Sequence, residues 1–254
     1  MTAPGYLVRS AADVPPGDGW LGSRERAVQG GLRLAVRRDA WRLGRWTAKS
    51  AVGAWLGIAR DEVEILAATD GAPEPWAGPE QLPVALSLSH RAGLGLAVAG
   101  PRAPVLGCDA ELVEPRSPAF QREWFAPAER SVLATAAAGH AADLTANLLW
   151  TAKEAAAKVR RAGLRLDVRH ALVELGDGDG RTWSPLTVTW PDAAPARGWW
   201  RAYDGHVLTI AADRPIGAPR CLDGIIGSCA GHNAVHGTHE GPHAPRRAVH
   251  RRGR

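Results

Sequence analysis

Three cysteines, Cys108, Cys221 and Cys229, are too few and too scattered over 254 residues to form a disulfide framework. That usage fits a reducing compartment, so a cytoplasmic protein is expected. No run of about 18 apolar residues occurs, which argues against a membrane-spanning helix. The N-terminus also lacks the charged, then apolar, then small-residue order of an export signal. Basic charge is scarce once it is located. Of the formal net charge of +5, residues 215–254 hold +4, six Arg against Asp223 and Glu240. The rest of the chain carries about +1, so a basic nucleic-acid face is not indicated for the folded part. The same 215–254 stretch has no sustained apolar periodicity and is rich in Gly, His and Arg, which predicts a disordered tail.

The chain as a whole is 45% apolar and can bury a sizeable core. Segment 24–58 reads as helical, with Asp39 as an N-cap for an amphipathic stretch through Leu56. Residues 68–83 carry four Pro and two Gly and read as a connecting loop. Two apolar runs, at 84–100 and 105–112, read as strands. Helices follow over 126–138 and 145–161, with Gly163 available as a C-terminal stop, and then the short strands HALVEL, LTVTW, GWWRAY and HVLTIAA.

The stretch WTAK occurs twice, at Trp46 and at Trp150. Each copy leads to a closing apolar strand, LGLAVAG in the first case and HVLTIAA in the second. The expectation is an α+β fold of two similar subdomains related by a pseudo-twofold axis: an N-terminal one over 1–103, a C-terminal one over 104–214, then the tail. An active site between the two halves follows from the habit of ligand sites to lie at such interfaces.

In VLGCDAEL the two-residue period of a strand sends Gly107, Asp109 and Glu111 to one face. The two carboxylates then have Cα atoms about 6.6 Å apart. Alone, such a pair suits either a solvated edge or a site where a cation such as Mg²⁺ relieves the repulsion. On the later helix, Trp150, Glu154, Lys158 and Arg161 form one stripe, while Leu148, Ala152, Ala155 and Val159 form an apolar one. A helix-surface salt bridge suffices to explain Glu154 and Lys158 as a pair. It does not explain a third acid following the paired ones.

Taken in order, GCDAE at 107–111, FAPAE at 125–129 and WTAKEAAAK at 150–158 resemble the 4′-phosphopantetheinyl transferase superfamily. LSLSH at 86–90 and DAWRLGRWTAK at 39–49 agree, and the size and two-copy layout are similar to those of its monomeric, two-subdomain (Sfp-type) members. The resemblance covers roughly residues 20–212. It implies transfer of the phosphopantetheine arm of coenzyme A to a serine of an apo acyl carrier or peptidyl carrier protein, with release of 3′,5′-ADP. It implies Mg²⁺ held by Asp109, Glu111 and Glu154, with Glu154 also accepting the serine proton. Lys158 would steady the leaving phosphate, with Lys153 in support. Arg42, Ser89, His90 and, by spacing, Arg26 would contact the phosphates of coenzyme A. The family often has Gly-Lys-Pro where this chain has Gly71-Ala72-Pro73, and Arg91 or Arg102 would have to replace that lysine. The resemblance leaves open whether the carrier serves fatty acid or secondary metabolite synthesis.

A reading from another class remains: a nucleic-acid-binding or metal-binding protein acting through the tail, where His232, His236, His239 and His243 recur at close spacing.

Overall fold

The computed structural model describes residues 1–136, 138–161 and 167–223. The strands are β1 Gly5–Ser10, β2 Glu64–Ala67, β3 Pro73–Ala77, β4 Glu80–Gln81, β5 Val84–Arg91, β6 Leu94–Pro101, β7 Leu106–Leu112, β8 Leu172–Leu175, β9 Ser184–Trp190, β10 Ala193–Tyr203, β11 His206–Ala212 and β12 Arg220–Cys221. The helices are α1 Ser23–Gly30, α2 Ala35–Leu56, α3 Pro118–Trp124, α4 Pro127–Thr135 and α5 His140–Val159. None of the described helices is long and apolar enough to cross a membrane.

Side-chain alternation builds the layers. In β6, Leu94, Leu96 and Val98 point to one side and Ala97 and Ala99 to the other. The small residues receive α2, which packs Ala48, Ala51 and Val52 on them together with Leu7 of β1. The large ones meet Leu106, Cys108 and Ala110 of β7 and Leu208 and Ile210 of β11, forming an apolar layer between two sheets. The first sheet has the order β12-β1-β6-β5 and the second β7-β11-β10-β9-β8. On the far side of the second sheet, Leu148, Ala152, Ala155 and Val159 of α5 cover Val188, Trp200, Val207 and Ala211. The result is helix, sheet, sheet, helix, an α+β architecture, with β5 of one sheet running beside β7 of the other.

Each long helix is anchored by a lysine with no exposed side-chain surface. Lys49 Nζ donates to Glu25 Oε2 at 2.8 Å and to the Trp20 carbonyl at 2.7 Å. Glu25 in turn accepts the Gly22 amide at the start of α1 and the Ile65 amide in β2. In the second half, Lys153 Nζ donates to Glu129 Oε2 at 2.7 Å and to the Trp124 carbonyl at 2.9 Å. Glu129 accepts the Ala126 amide at the start of α4 and the Val173 amide in β8. Trp20, Glu25, Trp46 and Lys49 thus recur as Trp124, Glu129, Trp150 and Lys153, each 104 residues later.

Four expectations change. Asp39 is not an N-cap: α2 begins at Ala35, and the Arg38 amide already bonds the Leu34 carbonyl upstream of it. The proline-rich stretch 68–83 is more than a loop, because β3 pairs with β2 on one side and β4 on the other in a small third sheet. The tail starts later than residue 215. Ile216 is buried in the layer between the sheets, β12 pairs in parallel with β1, and Asp223 accepts two hydrogen bonds from Arg9, at 2.6 and 2.8 Å. Lastly, β1 forms the interior of the first sheet, although the periodicity analysis found no element there. Gly163 and the histidines at 232, 236, 239 and 243 lie outside the described residues.

Gly107 sets the distance between β7 and α5. A Cβ there would stand 2.0 Å from the Ala155 carbonyl oxygen and 2.9 Å from the Val159 amide nitrogen, both backbone atoms that cannot rotate away. Gly107→Ala is therefore expected to cost about 2–3 kcal/mol of unfolding free energy, read from a chemical denaturation curve.

Candidate active site

The pleat of β7 turns Cys108 and Ala110 into the layer between the sheets and Asp109 and Glu111 toward α5, as the alternation predicted. The edge of β5 supplies two hydroxyls across the seam. Ser87 Oγ accepts the Cys108 amide at 3.0 Å, and Ser89 Oγ donates to Asp109 Oδ1 at 2.7 Å. From α5, Lys158 Nζ donates to the same Oδ1 and to the Cys108 carbonyl, both at 2.8 Å. Asp109, buried at 6% exposure, is thereby held by both halves of the chain. Its other oxygen, Oδ2, is buried and makes no hydrogen bond among the described residues.

Glu154 lies one helical turn before Lys158 and makes no hydrogen bond or ion pair among the described residues. Burial raises the pKa of its carboxyl above the ordinary value, and the charges of Asp109 and Glu111 add to the rise while Lys158 opposes it. The three acids expected to converge are therefore within electrostatic reach of one another. Glu111 carries counter-charge of its own. Arg116 Nη2 donates to its Oε2 at 2.8 Å, and Arg91 Nε stands 3.4 Å from the same oxygen. Arg116 is fixed in turn by Asn147, a fully buried residue of α5 that accepts from its Nε at 2.7 Å. Neither Arg116 nor Asn147 belongs to a motif that sequence reasoning could single out.

His90 follows Ser89 and sits against α2, where a Cβ on Gly44 would come within 3.1 Å of its ring. Desolvation lowers its pKa, and the charges of Lys158 and Arg45 push in the same direction. Beside this cluster opens a cleft of about 470 Å³, bordered by β5, by the turn at 70–75 and by Arg45, Arg102, Lys158 and Arg161. Gly71-Ala72-Pro73 lines it. Of the two proposed replacements for the missing lysine, Arg102 borders the cleft, whereas Arg91 is engaged with Glu111 and Glu114. Arg161 spans the cleft, donating to Asp70 at 2.8 and 3.0 Å.

Three expected phosphate contacts are placed elsewhere. Lys153 is fully buried and saturated by Glu129 and the Trp124 carbonyl, about 100° around the helix from Glu154, so it supports the fold and not a ligand. Arg42 holds the 15–18 loop through Asp18 and through the carbonyls of Pro15 and Gly17 at 2.8 and 2.6 Å. Arg26 donates to the Leu21 carbonyl. Both arginines line a separate polar hollow with Gln29 and Arg38.

Among the described residues no three acidic, histidine or cysteine side chains are grouped closely enough to hold a metal ion. Lys158, Arg116 and Arg91 occupy the positions next to Asp109 and Glu111 instead. The donor chemistry nevertheless fits a hard divalent cation: the Asp109 oxygen without a partner, and the unpaired, electrostatically strained Glu154, are all-oxygen ligands.

A carboxylate cluster beside a cleft bordered by cations suits a ligand that brings negative charge together with a divalent cation. Residues 105–211, which run from the approach to β7 into β11 and include Asp109, Glu111, Glu154 and Lys158, match the family model described as the 4′-phosphopantetheinyl transferase superfamily. The similarity to that superfamily lies in the second half of the chain and supports a transferase of the phosphopantetheine class. No curated protein matches the sequence.

Two measurements test these assignments. Lys153→Met leaves Glu129 buried without its cation and should cost about 3–5 kcal/mol in denaturation. For Glu154, the folded pKa is raised, so the carboxyl favours folding below its ordinary pKa of 4.5 and that contribution is lost as pH rises through the folded value. Thermal melts in chelator should therefore show Glu154→Gln more stable than wild type at about pH 8, with the difference vanishing near about pH 4. An equal gap at both pH values would remove the electrostatic account.

Proposed function

We propose that this protein transfers the 4′-phosphopantetheine arm of coenzyme A to a serine of an apo acyl or peptidyl carrier protein, releasing 3′,5′-ADP. The observation that carries the reading is Asp109: one oxygen is held by Ser89 and Lys158, the other is buried without a partner, and Glu154 stands alongside in a cluster that borders a cationic cleft. A structural ion pair would leave no such oxygen unsatisfied.

In this reaction the serine Oγ bonds to the phosphorus that bears pantetheine, and the bond from that phosphorus to the bridging oxygen of the 5′-phosphate breaks. Phosphoryl transfer of this kind requires positioning and charge neutralisation more than covalent help. Glu154 accepts the serine proton; its raised pKa brings it closer to working pH than an ordinary carboxylate. Lys158 places a point charge where the leaving phosphate gains negative charge. Ser89 keeps Asp109 oriented, and His90, held toward its neutral form, donates or accepts a hydrogen bond without adding net charge. Asp109, Glu111 and Glu154 would hold Mg²⁺, whose chemistry when bound is to neutralise the diphosphate. Arg102, which borders the cleft, supplies the cation that the 71–73 turn lacks.

We also read the two halves as duplicated subdomains about a pseudo-twofold axis, divided near residue 103, in a monomeric cytoplasmic enzyme. The 104-residue recurrence of the buried lysine pair supports this. Incubation with coenzyme A, Mg²⁺ and a panel of apo carriers from fatty acid and secondary metabolite pathways should raise a carrier's mass by one phosphopantetheine arm. Asp109→Asn and Glu154→Gln should each lower turnover by at least about a hundredfold, with the fold retained. Absence of a mass change with every carrier would overturn the reading.

A further inference from the structure

The pleat that turns Asp109 toward α5 also governs the strand beside it. Thr209 of β11 is the direct partner of Asp109 across the antiparallel pair. Val207 and Ala211, two residues to either side of Thr209, pack in the cluster that α5 covers, so Thr209 faces the helix as well. Its side chain is fully buried, and its hydroxyl makes no hydrogen bond among the described residues. Of the buried side-chain atoms without a partner among the described residues, one is a hydroxyl and one is a carboxylate oxygen. They belong to Thr209 and Asp109, which stand opposite each other. A carboxylate only accepts, whereas a hydroxyl can donate, so each is the kind of group that the other lacks. An unpaired interior hydroxyl costs about 1–3 kcal/mol, and valine would fill the same volume without that cost. By packing alone, threonine is the worse residue at this position.

We infer that Thr209 is a positioning residue for the acid cluster, its hydroxyl donating to Asp109 Oδ2 and fixing the plane of that carboxylate when a divalent cation is held. The inference rests on the transferase reading for the cation. Directly opposed residues of an antiparallel pair have Cβ atoms about 4.5–5.5 Å apart, within reach of a hydroxyl and a carboxylate, so rotation of the two side chains closes the bond without moving the strands. Ser89 and Lys158 both hold Oδ1, which leaves the carboxylate able to turn about its last bond. A donor on Oδ2 removes that freedom. A carboxylate oxygen offers about two lone pairs, so Oδ2 can accept from Thr209 and still ligate an ion. No sequence motif marks the position, because HVLTIAA reads as a plain apolar strand.

The test compares wild type with Thr209→Val, which keeps the shape and loses the hydroxyl, and Thr209→Ser, which keeps the hydroxyl and loses the methyl. Mn²⁺ is titrated into each in the presence of coenzyme A, with the free ion followed by electron paramagnetic resonance, and each is unfolded in urea. The expected result for Thr209→Val is a loss of about tenfold to a hundredfold in Mn²⁺ affinity, with a denaturation midpoint equal to or above that of wild type. Thr209→Ser should recover most of the affinity. A merely structural threonine would not separate the two readouts in this way. Wild-type Mn²⁺ affinity in Thr209→Val, or an equal loss in both variants, would overturn the inference while leaving the transferase reading intact. A wild-type protein that binds no Mn²⁺ with coenzyme A present would instead sink both.

Discussion

A lysine ammonium with no exposed surface is the constraint around which each half is arranged. Moving such a group out of water costs several kcal/mol unless a carboxylate and further acceptors surround it. Lys153 shows the tension directly: burial lowers its pKa, and Glu129 opposes that shift. The same glutamate also accepts the amide at the start of α4 and another in β8, so one carboxylate fixes a helix start, a strand and the roll of α5. That roll determines which residues α5 turns toward β7. With Lys153 pinned inward on one side, Glu154 and Lys158 are delivered to Asp109 on the other. The buried pair therefore positions the site without touching it.

At the site itself, electrostatic crowding is relieved only in part. Asp109 has two donors on one oxygen and none on the other, Glu111 is covered by arginines, and Glu154 has no partner. Preorganised donors account for Oδ1 of Asp109 and for Oε2 of Glu111. The unsatisfied remainder is an all-oxygen surface on the edge of a cleft lined by arginine and lysine. Opposite charges placed on two sides of one opening suit a ligand that carries its own negative charge together with a cation, and they suit an apolar or neutral ligand poorly.

The parts of this arrangement legible in the sequence were those fixed by local periodicity. Strand alternation placed Asp109 and Glu111 on one face, and the helical stripe placed Glu154 above Lys158. What depends on contacts between distant segments was less legible. Lys153 adjoins Glu154 in sequence and was assigned to the ligand, because nothing local reveals that Glu129 waits in the core. A signal did exist: Trp20 with Glu25 and Trp124 with Glu129 have the same internal spacing and the same 104-residue offset as the two WTAK copies. Arg116 carries no such signal, since its place depends on Asn147, which tertiary packing brings to it. Residues 68–83 misled for a different reason. Their prolines suppress strand propensity, yet β3, which holds Pro73 and Pro75, still pairs with β2 on one side and β4 on the other.

The 104-residue correspondence also shows which residues stand in the first half where the second half has its charged cluster. Strand β1 pairs antiparallel with β6 as β7 pairs with β11, and Gly5 and Leu7 fall at the offsets of Asp109 and Glu111. Leu7 is buried against α2 in an apolar cluster. On that helix Ser50 and Ala54 fall at the offsets of Glu154 and Lys158, and Ser50 satisfies itself by donating to the Trp46 carbonyl at 2.7 Å. Every charged group of the second half's cluster is thus matched in the first half by a residue that needs no ionic partner. The first half contributes instead from its edge: Ser89 on β5 donates to Asp109, Ser87 accepts the Cys108 amide beside it, and Arg45 on α2 borders the adjoining cleft. The site is a seam: the carboxylates come from the second half together with Lys158 and Arg116, and the serine hydroxyls come from the first.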